Sequence, residues 1–170
     1  MTLKTKMPEP GRETARTKPS GRKTHQQGWM ADYVLQPEDK RIRRRHFSHE
    51  QIIDLVSNGL PVSEVESLQK ILDIPMERLI DILGISKSTY QRRKASDKPL
   101  SLEYSDRLMR FARLARIAIE MLESKEAARE WLTSPQYALA NTPPLDYART
   151  EPGAREVENL LGRMDQGVYS

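Results

Sequence analysis

Residues 76–95 read MERLIDILGISKSTYQRRKA, and this stretch decides the fold. Leu79, Ile80 and Leu83 recur at helical spacing and give its first half one apolar face. Gly84 stands just past them, where a residue free to take positive φ closes a helix. Ile85 then plugs the angle between two helices, and Ser86 caps the second. Two short helices joined by a glycine-containing turn make a helix-turn-helix. In the second helix Tyr90 takes the inward position, so Lys87, Ser88, Gln91 and Arg92 point away from it. These four are the candidate DNA-binding residues. Gln pairs with adenine and Arg with guanine in the major groove. From Gly84 to Lys98 five cations stand against one carboxylate. The competing reading is an ordinary helical hairpin with a solvated basic face. Two positions depart from the usual motif: a small residue is usual where Ile80 stands, and an apolar one where Arg93 stands.

Working outward, the same helical texture continues on both sides. Ser48 with Gln51 forms a capping box ahead of Ile52, Ile53, Leu55 and Val56, and Asn58-Gly59 stops that helix. Pro61 precedes a second apolar period through Val62, Val65, Leu68, Ile71 and Leu72. Beyond Asp97-Lys98-Pro99, Ser101 caps a long helix to about Leu122. Leu108, Phe111, Leu114, Ala115, Ala118 and Leu122 mark one side of it, and Arg107, Arg110, Arg113 and Arg116 the other. Ser124 opens a further helix to about Leu132, and Thr150 caps a last one with Val157, Leu160, Leu161 and Met164 on one side and Gly167 past its end. No alternating pattern of useful length occurs. The fold class is all-α, in three parts: a disordered basic segment over 1–46, a helical region over 47–98 holding the helix-turn-helix, and a small helical module over 99–170.

Charge is unevenly placed along the 170 residues. The net value is +4, but residues 1–46 hold twelve Lys and Arg against five Asp and Glu. That segment is rich in Thr, Pro and Gly and ends in the cluster Lys40, Arg41, Arg43, Arg44 and Arg45. Its composition cannot build a core, so it is read as disordered. Its cations either touch phosphates, releasing counterions, or simply confer solubility.

Catalysis and membrane insertion find little support. There is no cysteine, hence no disulfide framework and no thiolate. His25, His46 and His49 have no carboxylate cluster at ligand spacing, so no metal site and no cofactor is expected. No glycine-rich phosphate loop occurs. Glu126 with Arg129 and Glu130 has the look of a solvated helix face. No apolar run approaches the roughly 20 residues of a membrane span, and no secretory signal opens the sequence. The expectation is a cytoplasmic protein that is not an enzyme.

Three pieces follow one another in the C-terminal part: PLSLEYSDRLMRFARL, AAREWLTSPQYAL and PPLDYARTEPGAREVENLLGRMDQGVYS. In this order and spacing, the run from Lys98 to Ser170 resembles the toxin-binding domain of the Xre/MbcA/ParS antitoxin family. The preceding GISKSTYQRR also resembles that family's helix-turn-helix. The family commonly has Leu-Gly-Gly where this chain has Leu139-Ala140-Asn141. The first 46 residues lie outside the resemblance.

The resemblance implies a partner toxin with the RES domain, a fold that degrades NAD. It also implies homodimerisation through the C-terminal module and repression of the shared operon at operator DNA. Such a protein acts by occluding an enzyme's cleft. Arg163 suits pairing with carboxylates or replacing a cation in a nucleotide site. Gly167, Val168, Tyr169 and Ser170 are small enough to thread into a pocket, with Tyr169 giving aromatic area and a polar tip. These five are the candidate toxin-binding residues; the competing reading of the last four is a frayed end. Trp131 is read as domain core before partner contact. Two other functional readings stay open: a stand-alone helix-turn-helix regulator, and an antitoxin whose DNA-binding region is vestigial.

Overall fold

A computed structural model describes residues 29–35 and 48–165 of the chain. The described residues form helices joined by short turns and contain no strand. The helices are α1 (Trp29–Leu35), α2 (His49–Asn58), α3 (Ser63–Leu72), α4 (Met76–Ile82), α5 (Lys87–Ala95), α6 (Leu102–Leu122), α7 (Lys125–Thr133), α8 (Pro144–Tyr147) and α9 (Glu151–Asp165), with a 3-10 turn at Tyr137–Leu139. The expected all-α class holds, and each helix expected from residue 48 onward forms; the 3-10 turn and the short α8 come in addition to those expected.

The caps form as the sequence predicts. Ser48 Oγ accepts from Gln51 N at 3.2 Å while Gln51 Oε1 accepts from Ser48 N at 3.0 Å. Ser101, Ser124 and Thr150 each accept from the backbone three residues on. Each cap satisfies one amide that the first helical turn leaves without a partner.

The long helix α6 is the hub, touching α1, α2, α3, α7 and α9. Its buried residues cover a wide arc, because neighbours surround it: Leu108, Met109, Phe111, Ala112, Leu114, Ala115 and Ala118. The alanines let those neighbours approach closely. A second buried group, Val65, Leu68, Ile71, Leu72, Leu79, Ile82 and Leu83, fills the space under α3 and α4. Both groups belong to one continuous core.

The expectation of disorder over residues 1–46 is corrected at Trp29–Leu35. There the chain is helical, and Trp29, Met30 and Val34 are buried against α3 and α6. Trp29 meets Tyr33 edge-on at 6.2 Å, and the Arg116 guanidinium lies 5.4 Å from the Tyr33 ring centre. The buried carboxylate of Glu64 accepts from Met30 N at 3.1 Å, at the positive end of α1. Seven residues, WMADYVL, are too few for a period to show against the polar composition around them. The remaining residues of that segment, including the cationic cluster at Lys40–Arg45, lie outside the described residues.

Candidate DNA and partner interfaces

The motif at 76–95 is built as a helix-turn-helix. Ile85 N donates to Ile80 O at 2.8 Å and Gly84 N to Asp81 O at 2.9 Å, closing the end of α4. Gly84 sits at φ +68°, in the left-handed region. A Cβ there would also crowd Arg107 Nη1, which donates to Leu83 O at 3.1 Å. Ile85 is buried in the angle between the helices, and Ser86 Oγ accepts from Thr89 N. Both departures from the usual motif are accommodated. Ile80 is buried with the core, and Arg93 turns back to donate to Pro99 O, holding the exit of α5.

Tyr90 fixes the roll of α5. It is buried, and its hydroxyl donates to Glu66 Oε1 of α3 at 3.2 Å. Lys94 Nζ reaches the same oxygen at 2.7 Å and lies 6.0 Å from the Tyr90 ring centre. Burial, with the charge of Glu66, pushes the Tyr90 hydroxyl pKa up. The hydrogen bond from Lys94 holds the Glu66 carboxyl below its ordinary 4.5.

With Tyr90 inward, Lys87, Ser88, Gln91 and Arg92 are all exposed on one face. Among the described residues, the side chains of Lys87, Gln91 and Arg92 make no hydrogen bond or ion pair, and Ser88 Oγ meets only Ser86 Oγ. The structure therefore brings together all four residues singled out from sequence. Lys94, counted there only as charge, is instead a strut to α3.

In the other half, the arginines of α6 are stitches that spacing alone did not reveal. Arg110 Nε donates to Glu151 Oε2 at 2.9 Å, and Arg113 Nε to Glu158 Oε1 at 2.6 Å, tying α6 to α9. Burial pushes the Glu151 carboxyl pKa up, but the bond from Arg110 and the charges of Arg113 and Arg110 outweigh it and hold it below 4.5. Arg129 was read as part of a solvated face. It reaches α3 instead, donating to Ile71 O at 2.7 Å and Lys70 O at 2.8 Å. Asp146 accepts from Arg78 at 2.6 Å, and Arg149 donates to Asp81 at 2.6 Å, so α8 and the turn leading into α9 are pinned to the first helix of the motif.

These carboxylates make stability sensitive to acid. Glu66 and Glu151 have folded-state pKa values below 4.5, so their contribution is present above that pH and is lost as pH falls through the lowered values. Urea denaturation from pH 6 to pH 3 should show stability declining below pH 4.5. The decline should be shallower in the double variant Glu66→Gln, Glu151→Gln.

Trp131 is half-buried and packs on the core. Arg163, a candidate toxin contact, is half-exposed and donates to Glu156 Oε1 at 3.2 Å on its own helix. A pair so exposed is weakly held and is easily exchanged for a partner's carboxylate. Gly167, Val168, Tyr169 and Ser170 lie outside the described residues. Ala140 and Asn141, where the resembled family has glycines, both adopt left-handed φ, 54° and 56°. That conformation is free to glycine and costs other residues energy. Among the described residues no group of His, Asp and Glu is placed to hold a metal, and no helix is long and apolar enough to cross a membrane.

Two family models match the chain. Residues 51–113 match the antitoxin Xre-like helix-turn-helix domain, and residues 118–167 match the antitoxin Xre/MbcA/ParS C-terminal toxin-binding domain. Among curated proteins, an Antitoxin Xre of Yersinia enterocolitica is 30% identical over 120 residues, covering 70% of this chain and 81% of that protein. An Antitoxin Xre of Photorhabdus laumondii is 30% identical over 117 residues, or 68% and 79% of the two chains. A Sphingobium protein named Prs ADP-ribosylating antitoxin is 24% identical over 167 residues, or 93% and 98%.

Proposed function

The chain belongs to the Xre antitoxin family, the antitoxin half of a toxin–antitoxin pair with a helix-turn-helix region, and we propose that it silences its toxin at two levels. On the protein, it occludes the active site of a RES-domain, NAD-degrading toxin through its C-terminal part. On DNA, it represses its own operon through the outward face of α5. It works as a homodimer joined through the C-terminal module, runs no chemistry of its own, and resides in the cytoplasm.

The observation that carries the DNA reading is the unengaged face Lys87, Ser88, Gln91 and Arg92 on a helix whose roll is locked by Tyr90 and Glu66. A reading helix must hold its side chains to within hydrogen-bond reach of base edges, and a locked helix supplies that. A homodimer would present two such helices to half-sites about one DNA turn apart. The RES-domain partner rests on the resemblance of residues 98–170 to the family's toxin-binding domain.

A mobility-shift titration on the DNA upstream of the gene tests the first level. Arg92→Ala should weaken promoter binding by about 1–3 kcal/mol. Equal weak binding of the wild-type chain to promoter and random DNA would remove the sequence-specific reading. Residues 1–28 carry seven Lys and Arg and should add only sequence-independent affinity, so removing them should flatten the salt dependence and keep the footprint. Co-purification with the protein encoded in the adjacent reading frame tests the second level.

A further inference from the structure

The 3-10 turn between α7 and α8 holds an exposed aromatic side chain that the fold does not use. Tyr137 is 91% exposed, while Leu139, two residues on, is fully buried and roots the turn in the core. In residues 118–165 only one other large apolar side chain is exposed, Tyr147 at 37%, and it is far less so.

The turn around Tyr137 is over-determined. The Gln136 side-chain amide donates to Trp131 O at 3.2 Å and to Ser134 O at 3.1 Å. The loop closes on itself through Gln136 N to Thr142 O at 3.3 Å, Asn141 N to Gln136 O at 3.0 Å and Thr142 N to Leu139 O at 3.0 Å. Two successive non-glycine residues, Ala140 and Asn141, are held in left-handed backbone. Strain of that kind persists where surrounding contacts fix it, and it gathers at binding and switching elements.

Charge is also missing here. From Trp131 to Leu145 no residue is charged, in a chain whose charged fraction is 31%. Pro135, Ala138 and Ala140, around Tyr137, are exposed as well. A solvated loop has no need of this composition, whereas the centre of a protein interface is depleted in charge and enriched in Tyr. A ring on a pre-set backbone also loses little entropy when it is buried by a partner.

We propose that this uncharged knob, headed by Tyr137, is a second toxin-docking surface, fitting an uncharged apolar pocket of the toxin. The proposal rests on the antitoxin reading above. It assigns the knob to the toxin because the knob lies within residues 118–167, the part that matches the toxin-binding domain. It also predicts a division of labour, in which the knob supplies affinity and the last residues supply inhibition.

The test titrates full-length chain against the purified toxin from the adjacent reading frame. Tyr137→Ala should weaken toxin binding by about 30-fold or more, the usual effect of losing a buried aromatic anchor. Tyr137→Phe should keep most of the affinity, since it keeps the ring. Thermal melting and promoter binding should be unchanged in both, because Tyr137 is almost fully exposed and is not part of the core cluster. Wild-type and Tyr137→Ala chains that bind toxin equally would overturn the proposal alone. A wild-type chain that does not bind the toxin would overturn the antitoxin–toxin pairing with it. A Tyr137→Ala chain that keeps toxin affinity but sediments as a smaller oligomer would also overturn it, giving the knob to a second copy of the chain.

Discussion

Trp29→Ala should cost about 3–5 kcal/mol of folding stability, the usual loss when a buried aromatic is cut to alanine. Trp29 is 2% exposed, in a seven-residue helix that no local propensity would sustain. The helix exists because Trp29, Met30 and Val34 complete the core between α3 and α6 and because Glu64 meets its first turn. Removing the indole leaves a cavity that this short helix cannot close by itself, so α1 should detach. The consequence should reach both halves of the molecule, since α3 carries the strut to α5 and α6 the stitches to α9. Urea denaturation gives the measurement. A loss under 1 kcal/mol would mean that α1 contributes nothing to the core and that residues 29–35 are dispensable. The control is Lys87→Ala, on the exposed face of α5, where no such loss is expected.

The contrast between α1 and the motif shows what kind of information the sequence carries. The helix-turn-helix was legible because its determinants are local. Gly84, Ile85, Ser86 and Tyr90 lie within seven positions of each other, and each acts on its neighbours' backbone or on the adjoining helix. The caps at Ser48, Ser101, Ser124 and Thr150 were legible for the same reason, since a cap reaches only three residues ahead. In α1 the decisive partner is Glu64, 34 positions away, and nothing local marks it. The α6 arginines repeat the lesson. Spacing puts Arg107, Arg110, Arg113 and Arg116 on one side of a helix and says nothing of what they reach across to. Arg107, Arg110 and Arg116 do pair with carboxylates four positions away on α6, but Arg107, Arg110 and Arg113 also reach Leu83 O, Glu151 and Glu158, 24 to 45 positions off in sequence.

Departures from a pattern were informative when the structure supplied their reason. Ile80 and Arg93 weaken the motif on paper. In the molecule, Ile80 fills core volume and Arg93 fastens the loop after α5, so neither argues against a reading helix. Ala140 and Asn141 mark the reverse case. The resembled family's glycines imply left-handed backbone, and this chain adopts that backbone without them. What the departure could not show is the side chain held above it, Tyr137.

Loss of Gly167, Val168, Tyr169 and Ser170 should abolish neutralisation of the toxin while leaving the fold intact. The buried anchors of α9 among the described residues, Ala154, Val157 and Leu161, and the α6–α9 stitches at Glu151 and Glu158 all precede the deleted residues. Binding should survive as well, through the knob at Tyr137 and the rest of the module. Inhibition differs from binding: an enzyme held at its rim still turns over if its cleft is open to substrate. Cells co-expressing the toxin with the shortened chain should therefore stop growing and lose NAD, although the two proteins still co-purify. Tyr169→Ala should have an intermediate effect, since an aromatic anchor contributes about 2 kcal/mol or more. Arg163→Ala should separate a charge role from a filling role, because its bond to Glu156 is exposed and its loss should leave the melting temperature unchanged. Full protection by the shortened chain would show that the last residues are bystanders. Occlusion would then have to come from the broader face of α6 and the segment around Asp146.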